Sequence, residues 1–291
     1  MQLGTEHKRI QYYLNSKCYV EPISEVVGTY KTEKKVNNKK IMSLTEAKAY
    51  IVPLKHSLKL FLELPGVFTT IYNYQKLLIN ENNNNTLKII RNIVQGSLWD
   101  DRIKRKGNKD IVLPLIAFYD NLETGNPLRS HSRINKLGAV HTSIATVPPN
   151  MSSKLENICL TELFYSNDRV TFCNALIFKK LIIDLKELEE VSIEICLNNE
   201  ILRVKFVLVT LARNNLGLNS ILGFPESFNA TYFCRTCLIT KANSEKDTCE
   251  HENLIRKVEY YDKHIKDKNI ENKVNLKKIL CMERSTKLSC I

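Results

Sequence analysis

The sequence lacks any long run of uncharged apolar residues. Its two most apolar stretches, Leu176 to Leu188 and Ile201 to Leu211, are both interrupted by charged side chains. Because a membrane-spanning helix needs about 20 consecutive, predominantly apolar residues, we expect no membrane segment. The chain also shows no charged-then-apolar leader, and its cysteines lie mostly within apolar segments. Together these features predict a soluble protein in a reducing compartment.

Internal repeats and complete nucleic-acid-binding motifs are also absent from the sequence. No similarity recurs at a period of about 20 to 50 residues, which argues against a solenoid or an array. Neither helix-turn-helix spacing nor a complete zinc-finger pattern is present, so base-specific recognition is not predicted. The single tryptophan, Trp99, is expected to pack a helix against a sheet, because that role is commoner than stacking on a base.

Acidic residues are fewer than basic ones. The chain has 31 Asp and Glu residues against 43 Lys and Arg residues, which gives a formal net charge of +12. Such a balance favours a polyanionic partner through counterion release and electrostatic steering. The alternative is an indifferent basic surface, because many lysines lie in polar stretches such as residues 31–40 and 265–278.

Two groups of basic residues flank the apolar segment at residues 111–119. We expect both groups at the same end of a sheet, where they would contact DNA phosphates. Phosphate contact requires only cationic density, so this prediction does not depend on a catalytic site. The candidate DNA-binding residues are Arg102, Lys104, Arg105, Lys106, Arg129, Arg133 and Lys136.

Shifts in composition divide the chain into three parts. Residues 1–110 are predicted to form a mostly helical basic region, with helices that end near residues 64, 79 and 98. Residues 111–233 alternate between strand and helix patterns and form the predicted core, and residues 234–291 hold a cysteine-containing region and a tail. The first part either forms a companion helical domain or wraps the sheet as part of one fold.

Two apolar runs in the core lead to polar residues. Ile111 to Tyr119 leads to Asp120, and Val204 to Ala212 leads to Asn214. Two buried strands of this kind can hold their polar residues side by side, where two carboxylates would bind the divalent metal of a nuclease or transposase. Here one position carries an amide. Alternatively, Asp120 forms a turn or caps a helix, and Asn214 begins a tight turn that contains a left-handed residue.

Five irregular fragments in the middle of the chain resist a generic explanation as loops. In sequence order they resemble the transposase-derived proteins of animal genomes that are related to CACTA-type DNA transposons. The likeness runs from about residue 4 to about residue 280. It implies an α/β fold with a ribonuclease-H-like mixed sheet and flanking helices, incomplete at the C-terminus and preceded by a mostly helical N-terminal region. The fragments are YDNLETGNPLRSHS (119–132), KLGAV (136–140), SSKLENI (152–158), NLGLNSILGF (215–224) and ESFNATYFCRTC (226–237).

The resemblance assigns roles to the two polar positions. Asp120, within the sequence YDNLE, matches the first metal-binding aspartate of the family's DDE catalytic centre, and Asn214 occupies the position of the second. An amide lacks the charge that offsets ion dehydration, so two-metal chemistry with Mg²⁺ or Mn²⁺ should fall by orders of magnitude. No counterpart of the third acidic residue is visible, because the sequence departs from the family pattern around residues 281–291.

A cysteine pair lies just beyond the predicted core. Cys234 and Cys237 have the C-x-x-C spacing that lets two sulfurs face one tetrahedral Zn²⁺. Cys249 and His251 follow within 14 residues of Cys237 and are the candidates for the remaining ligands. The alternative is a pair of reduced structural cysteines. The resemblance implies a zinc-knuckle-like insertion at this place.

These observations lead to one hypothesis and two rivals. The first is a nuclear, transposon-derived protein that binds DNA through a basic face and has lost the acidic residues needed for strand transfer. The second is an active, metal-dependent DNA transposase or recombinase in which Glu123 or Glu226 replaces the missing ligand. The third is a zinc-stabilised module that binds protein. Self-association is left open in every case.

Overall fold

The computed structural model of the protein describes residues 4–16, 19–36, 39–84, 89–104, 110–123, 136–222, 224, 227, 229–247, 249 and 251–257. Nine α-helices and seven strands lie within these residues. The helices are α1 (Glu6–Asn15), α2 (Leu54–Leu62), α3 (Val67–Asn84), α4 (Ser97–Lys104), α5 (Pro149–Ser152), α6 (Ser166–Ile177), α7 (Lys179–Glu190), α8 (Asn215–Leu222) and α9 (Lys241–Ser244). The strands are β1 (Ile23–Val36), β2 (Lys39–Ile51), β3 (Ile111–Glu123), β4 (Lys136–Ile144), β5 (Cys159–Tyr165), β6 (Ile193–Leu197) and β7 (Glu200–Ala212).

The seven strands form a single mixed sheet in the order β1-β2-β5-β4-β3-β7-β6. Strands β3 and β7 pair in parallel, and every other neighbouring pair is antiparallel. Helices lie against this sheet, so the predicted mixed α/β class with flanking helices is confirmed. The candidate site lies at the C-terminal ends of the parallel pair, β3 and β7, which occupies the fifth and sixth places in the sheet.

Strand β3 is covered on both faces. Leu113 and Leu115 belong to the main core, which also contains buried side chains of α2, α3, α6 and α7. Val112 instead belongs to a second cluster with Trp99 of α4 and Val207 of β7. Successive side chains of a strand point to opposite faces, so the two clusters lie on opposite sides of the sheet. Trp99 is 3% exposed and packs a helix against the sheet, which confirms its predicted role.

The region before residue 110 contributes a β-hairpin that the sequence reading did not predict. Strands β1 and β2 pair along their whole length, and β2 joins β5 through the register from Ala49↔Phe164 to Ile51↔Glu162. This region therefore contains both helices, α1 to α4, and the two strands of the hairpin. The hairpin adds β1 and β2 to the same sheet as the core.

The helices before residue 110 differ from the prediction mainly at their ends. Helix α2 follows Pro53 and stops before Pro65 and Gly66, as the sequence predicted, and Gly66 takes a positive φ of 76°. Helix α3 continues through the asparagine tract to Asn84. The predicted helix ending near residue 98 is replaced by a 3₁₀ turn at Ile93–Gln95 and by α4. No helix in the described part of the chain has the length and apolarity to span a membrane.

Candidate functional site

Asp120 and Asn214 lie near the C-terminal ends of two paired strands. The parallel register of β3 and β7 ends with Phe118 beside Ala212. Asp120 lies two residues further along β3, and Asn214 lies two residues beyond the end of β7. The pairing of the two strands brings the two apolar runs side by side, and the contact between Asp120 and Asn214 stays a prediction.

Asp120 lies inside a strand and not in a turn. Strand β3 continues past it to Glu123, and Asp120 pairs with Ala139 of β4. Its Oδ1 accepts a hydrogen bond from the backbone N–H of Asn121 at 2.8 Å. Burial lowers the pKa of His141 on β4, and the negative charge of Asp120 opposes this shift. Asp120 thus keeps a partly exposed carboxylate next to an imidazole, and its turn or cap alternative is wrong.

Asn214 caps the helix that follows β7. Its Oδ1 accepts the backbone N–H of Gly217 at 2.8 Å, and its backbone oxygen accepts the N–H of Leu218 at 3.0 Å. This is the usual position and contact of a helix N-cap. Neither Asn214 nor Asn215 has a positive φ, so the expected left-handed turn is wrong. The helix replaces it, because the cap satisfies an amide group that the first turn of α8 leaves without a partner.

The chemistry open to this pair follows from its single negative charge. A carboxylate and a neutral amide oxygen supply half the charge that a carboxylate pair gives a divalent cation. The Asn214 oxygen is also occupied by its helix cap. Within the described part of the chain, no group of three or more His, Cys, Asp or Glu residues has an arrangement that suits a metal ion.

A basic and aromatic cluster, which sequence reasoning missed, lies on the other face of the same two strands. Tyr119 immediately precedes Asp120 in β3, so its side chain lies on the opposite face of the sheet from Asp120. Arg213 immediately precedes Asn214, just beyond the end of β7. The Arg213 guanidinium carbon is 3.9 Å from the centre of the Tyr119 ring. Arg169 of α6 also reaches the Tyr119 hydroxyl. The parallel pairing of β3 with β7 could have indicated the contact between Tyr119 and Arg213, but the position of Arg169 depends on helix packing.

The thiols of Cys234 and Cys237 lie close together, as the C-x-x-C spacing predicts. Backbone N–H groups of Thr236 and Cys237 donate to the sulfur of Cys234, and that of Ile239 donates to the sulfur of Cys237. Burial raises the pKa of Cys234, but hydrogen bonds from the Thr236 hydroxyl, the Cys237 thiol and the backbone N–H groups of Thr236 and Cys237 outweigh burial and lower that pKa overall. Burial raises the pKa of Cys237. One sulfur of the pair is therefore stabilised as a thiolate.

Cys249 and His251 are held near one another by Asp247. One Asp247 oxygen accepts the backbone N–H of Cys249 at 3.0 Å, and the other contacts His251 Nε2. The structure thus forms two separate pairs, Cys234 with Cys237 and Cys249 with His251. It does not gather three of the four into one metal-binding group within the described residues, so the zinc site stays a prediction.

The basic candidates are only partly described. Arg105, Lys106, Arg129 and Arg133 lie outside the described residues, as does Glu226. Arg102 and Lys104 lie at the end of α4, whose Trp99 and Ile103 pack near Val112 at the start of β3. Lys136 instead pairs with Glu123 at the far end of β3. Thirteen residues of strand span about 40 Å, so the described members of the two groups do not share one sheet end as expected.

The fold defines a mixed α/β protein with one carboxylate in β3 and one amide just beyond the end of the parallel strand β7. Neither the profiles of known protein families nor the curated protein sequences contain a match to the chain.

Proposed function

We propose that this chain is a transposon-derived, DNA-binding protein built on a ribonuclease-H-like core whose DDE centre is degenerate. The observation that carries the proposal is the parallel pairing of β3 with β7, whose last paired residues, Phe118 and Ala212, each precede a candidate position by two residues. The resemblance assigns the first two acidic positions to these residues. The net charge of +12 supports a polyanionic partner. A nuclear location belongs to the same proposal.

Loss of catalysis follows from what each side chain offers a metal ion. Mg²⁺ and Mn²⁺ retain their water unless anionic oxygens repay the dehydration. Asp120 provides one such oxygen ligand, while the Asn214 amide is neutral and already accepts from Gly217. A protein of this kind would hold DNA through phosphate contacts without cleaving it.

The variant Asn214→Asp tests the proposal, because an aspartate caps a helix as well as an asparagine does. We expect no Mg²⁺- or Mn²⁺-dependent nicking by the wild type, and a Mn²⁺ affinity at least about tenfold higher in Asn214→Asp, where a second carboxylate is added. Adding Asp120→Ala to that variant should remove the gain. Wild-type nicking that Asn214→Asp leaves unchanged would instead favour the active recombinase.

DNA binding is tested separately by fluorescence anisotropy of a labelled duplex over a range of salt concentrations. We expect the logarithm of the affinity to fall linearly with the logarithm of the salt concentration, with a slope of about −0.9 for each phosphate contacted. A protein that gave no such dependence would not bind DNA as proposed.

A zinc-stabilised interaction module remains the second candidate because of the hydrogen bonds to the cysteine sulfurs. The hydrogen bonds to Cys234 lower the pKa of that thiol, and the thiolate is the form that binds zinc. His251 contacts a carboxylate through Nε2, which leaves Nδ1 for a metal and fixes the ring. On this proposal the metal would draw Cys249 and His251 toward the cysteine pair.

Elemental analysis of the purified chain tests the zinc proposal. We expect one zinc ion per chain in the wild type and its loss in Cys234→Ser. Cys196→Ser is the matched control, because Cys196 is an exposed thiol on β6. Loss of zinc in Cys249→Ser and His251→Ala as well would establish all four ligands, whereas a metal-free wild type would leave two reduced structural cysteines.

A further inference from the structure

Two guanidinium groups meet at one phenol on the face of β3 and β7 that lies opposite Asp120. Arg213 follows the end of β7, and its Cζ lies 3.9 Å from the centre of the Tyr119 ring. Arg169 projects from α6, and both arginines are within hydrogen-bonding reach of the Tyr119 hydroxyl. Tyr119 is fully buried, whereas both arginines are partly exposed. The cluster thus has a rigid floor and a side open to solvent.

The two arginines are held in place by neutral groups of α6 and α8. Arg169 Nη1 donates to Asn174 Oδ1 at 3.1 Å and to the backbone oxygen of Ser220 at 3.4 Å. Arg213 Nη1 donates to the backbone oxygen of Gly217 at 3.3 Å. A Cβ atom at Gly217 would lie 2.0 Å from Arg213 Cδ, so glycine leaves the space that this side chain occupies. The geometry is therefore set before any ligand binds.

One donor of Arg169 makes no hydrogen bond within the described residues. Its Nε is buried and has no hydrogen-bond partner among the described residues. The neighbouring carboxylate of Asp168 is engaged by the hydroxyl of Tyr30. Two guanidiniums that converge on one phenol repel each other, and an anion between them relieves that repulsion. Planar guanidinium groups match the oxygens of a phosphate in pairs.

We propose that Arg169 and Arg213 form a phosphate-binding site, and that it holds a backbone phosphate of a bound nucleic acid strand. The assignment of the phosphate to nucleic acid rests on the function proposed above. The site lies at the same strand ends as Asp120 and Asn214 but on the opposite face, so it would position a strand without touching the candidate metal position. Ser166, whose hydroxyl donates to Asn121 Oδ1 at 2.9 Å, adds a polar group near Tyr119.

Anisotropy with a short labelled duplex tests the site in the 291-residue chain. Arg169→Met should weaken binding about tenfold at every sequence and reduce the salt slope by about 1, because one phosphate contact is lost. Arg203→Met is the matched control. Arg203 is an exposed arginine of β7 that pairs with Glu194 at 3.3 Å, so its loss should change the affinity by less than about twofold.

A second measurement needs no variant and stands if Arg169→Met fails to fold. Phenylglyoxal modifies exposed arginines, and mass spectrometry locates the adducts. We expect the duplex to protect Arg169 and Arg213 and to leave Arg203 reactive. Equal protection of all three, or of none, would overturn the site.

Inorganic phosphate separates this inference from the proposed function. Phosphate should raise the melting temperature of the wild type and leave that of Arg169→Met unchanged. If phosphate stabilises only the wild type but no DNA binds, the site stands and the DNA-binding function falls. If DNA binds with a steep salt dependence and Arg169→Met binds equally well, the site is overturned and the proposed function stands.

Discussion

Two carboxyl groups of the same sheet, Asp120 on β3 and Glu162 on β5, lie in opposite environments. Asp120 is partly exposed and accepts a hydrogen bond from its own backbone neighbour. Glu162 is fully buried, and neither of its carboxyl oxygens has a hydrogen-bond partner among the described residues. Burial raises the pKa of Glu162 well above its usual value, and the charge of Asp184 on α7 adds to this shift. The resemblance points to Asp120, but among the described residues a marked upward shift of a carboxyl pKa occurs at Glu162.

This difference shows how little a motif says about the environment of a carboxylate. A carboxyl that is to bind a cation must be accessible, and Asp120 is partly exposed. Glu162 faces the core beside Val140, and there a charge would go unpaired at high cost. Burial therefore disfavours the charged form of Glu162 and limits stability, whereas the partly exposed Asp120 avoids most of this cost.

The largest expected effect comes from replacing the buried carboxyl. Glu162→Leu should raise the free energy of unfolding by about 1–3 kcal/mol, because it removes a buried polar group that lacks hydrogen-bond partners. Urea denaturation of the two proteins measures the difference. A destabilised Glu162→Leu protein would show that the carboxyl has a partner that stabilises the fold.

The next effect is the pH dependence that Glu162 imposes. Its pKa is raised in the folded state, so its contribution is fully present below the unfolded value and is lost as pH rises through the folded pKa. Glu162→Gln should therefore gain stability over the wild type as pH rises from about 4.5 toward neutrality, with a limiting slope of about 1.4 kcal/mol per pH unit. Unfolding curves of the two proteins that stay parallel across this range would contradict the shift.

A smaller effect is expected at the helix cap beside Asp120. Asn214→Ala should lower the free energy of unfolding by about 0.5–2 kcal/mol, because the N–H of Gly217 loses its acceptor. Asn214→Asp should remain close to the wild type and serves as the control. Equal destabilisation of both variants would show that the Asn214 amide stabilises the fold by something other than capping the helix.

The smallest effect is expected at Asp120. Asp120→Ala should change the free energy of unfolding by less than about 0.5 kcal/mol, because its partly exposed carboxylate accepts a hydrogen bond from the adjacent backbone amide. The same denaturation assay measures it. A loss as large as that of a buried ion pair would show that Asp120 is structural and would weaken its assignment as a former metal ligand.

Strands β3 and β7 could be predicted from the sequence because they are buried on both faces. Such strands appear as nearly unbroken apolar runs, and the two runs that end near Asp120 and Asn214 stand out in this chain. The hairpin of β1 and β2 could not be predicted in the same way. Its inward side chains in β2 include the small residues Ala47 and Ala49, while charged residues alternate with them. An apolar periodicity built on alanine gives a weak signal.

Some of the quoted fragments receive a structural explanation that needs no function. In KLGAV, a Cβ at Gly138 would lie 2.4 Å from the ring of Phe164 and 3.1 Å from that of Tyr119. These two rings stack with centroids 5.9 Å apart. In NLGLNSILGF, Gly217 makes room for Arg213. The sequence shows where these two glycines lie, but only the packed structure shows which side chain fills the space beside each of them.

By itself, the sequence determined the mixed α/β class, the apolar strands β3 and β7 and the packing role of Trp99. These depend on local patterns, above all on apolar runs. Only the tertiary structure decided that Asn214 caps a helix, that Arg169 meets Arg213 at Tyr119, and that Glu162 is buried without a partner. The physical reason is that these environments are created by elements far apart in the chain. A side chain's charge and contacts are set by what packs against it, and no local pattern records that.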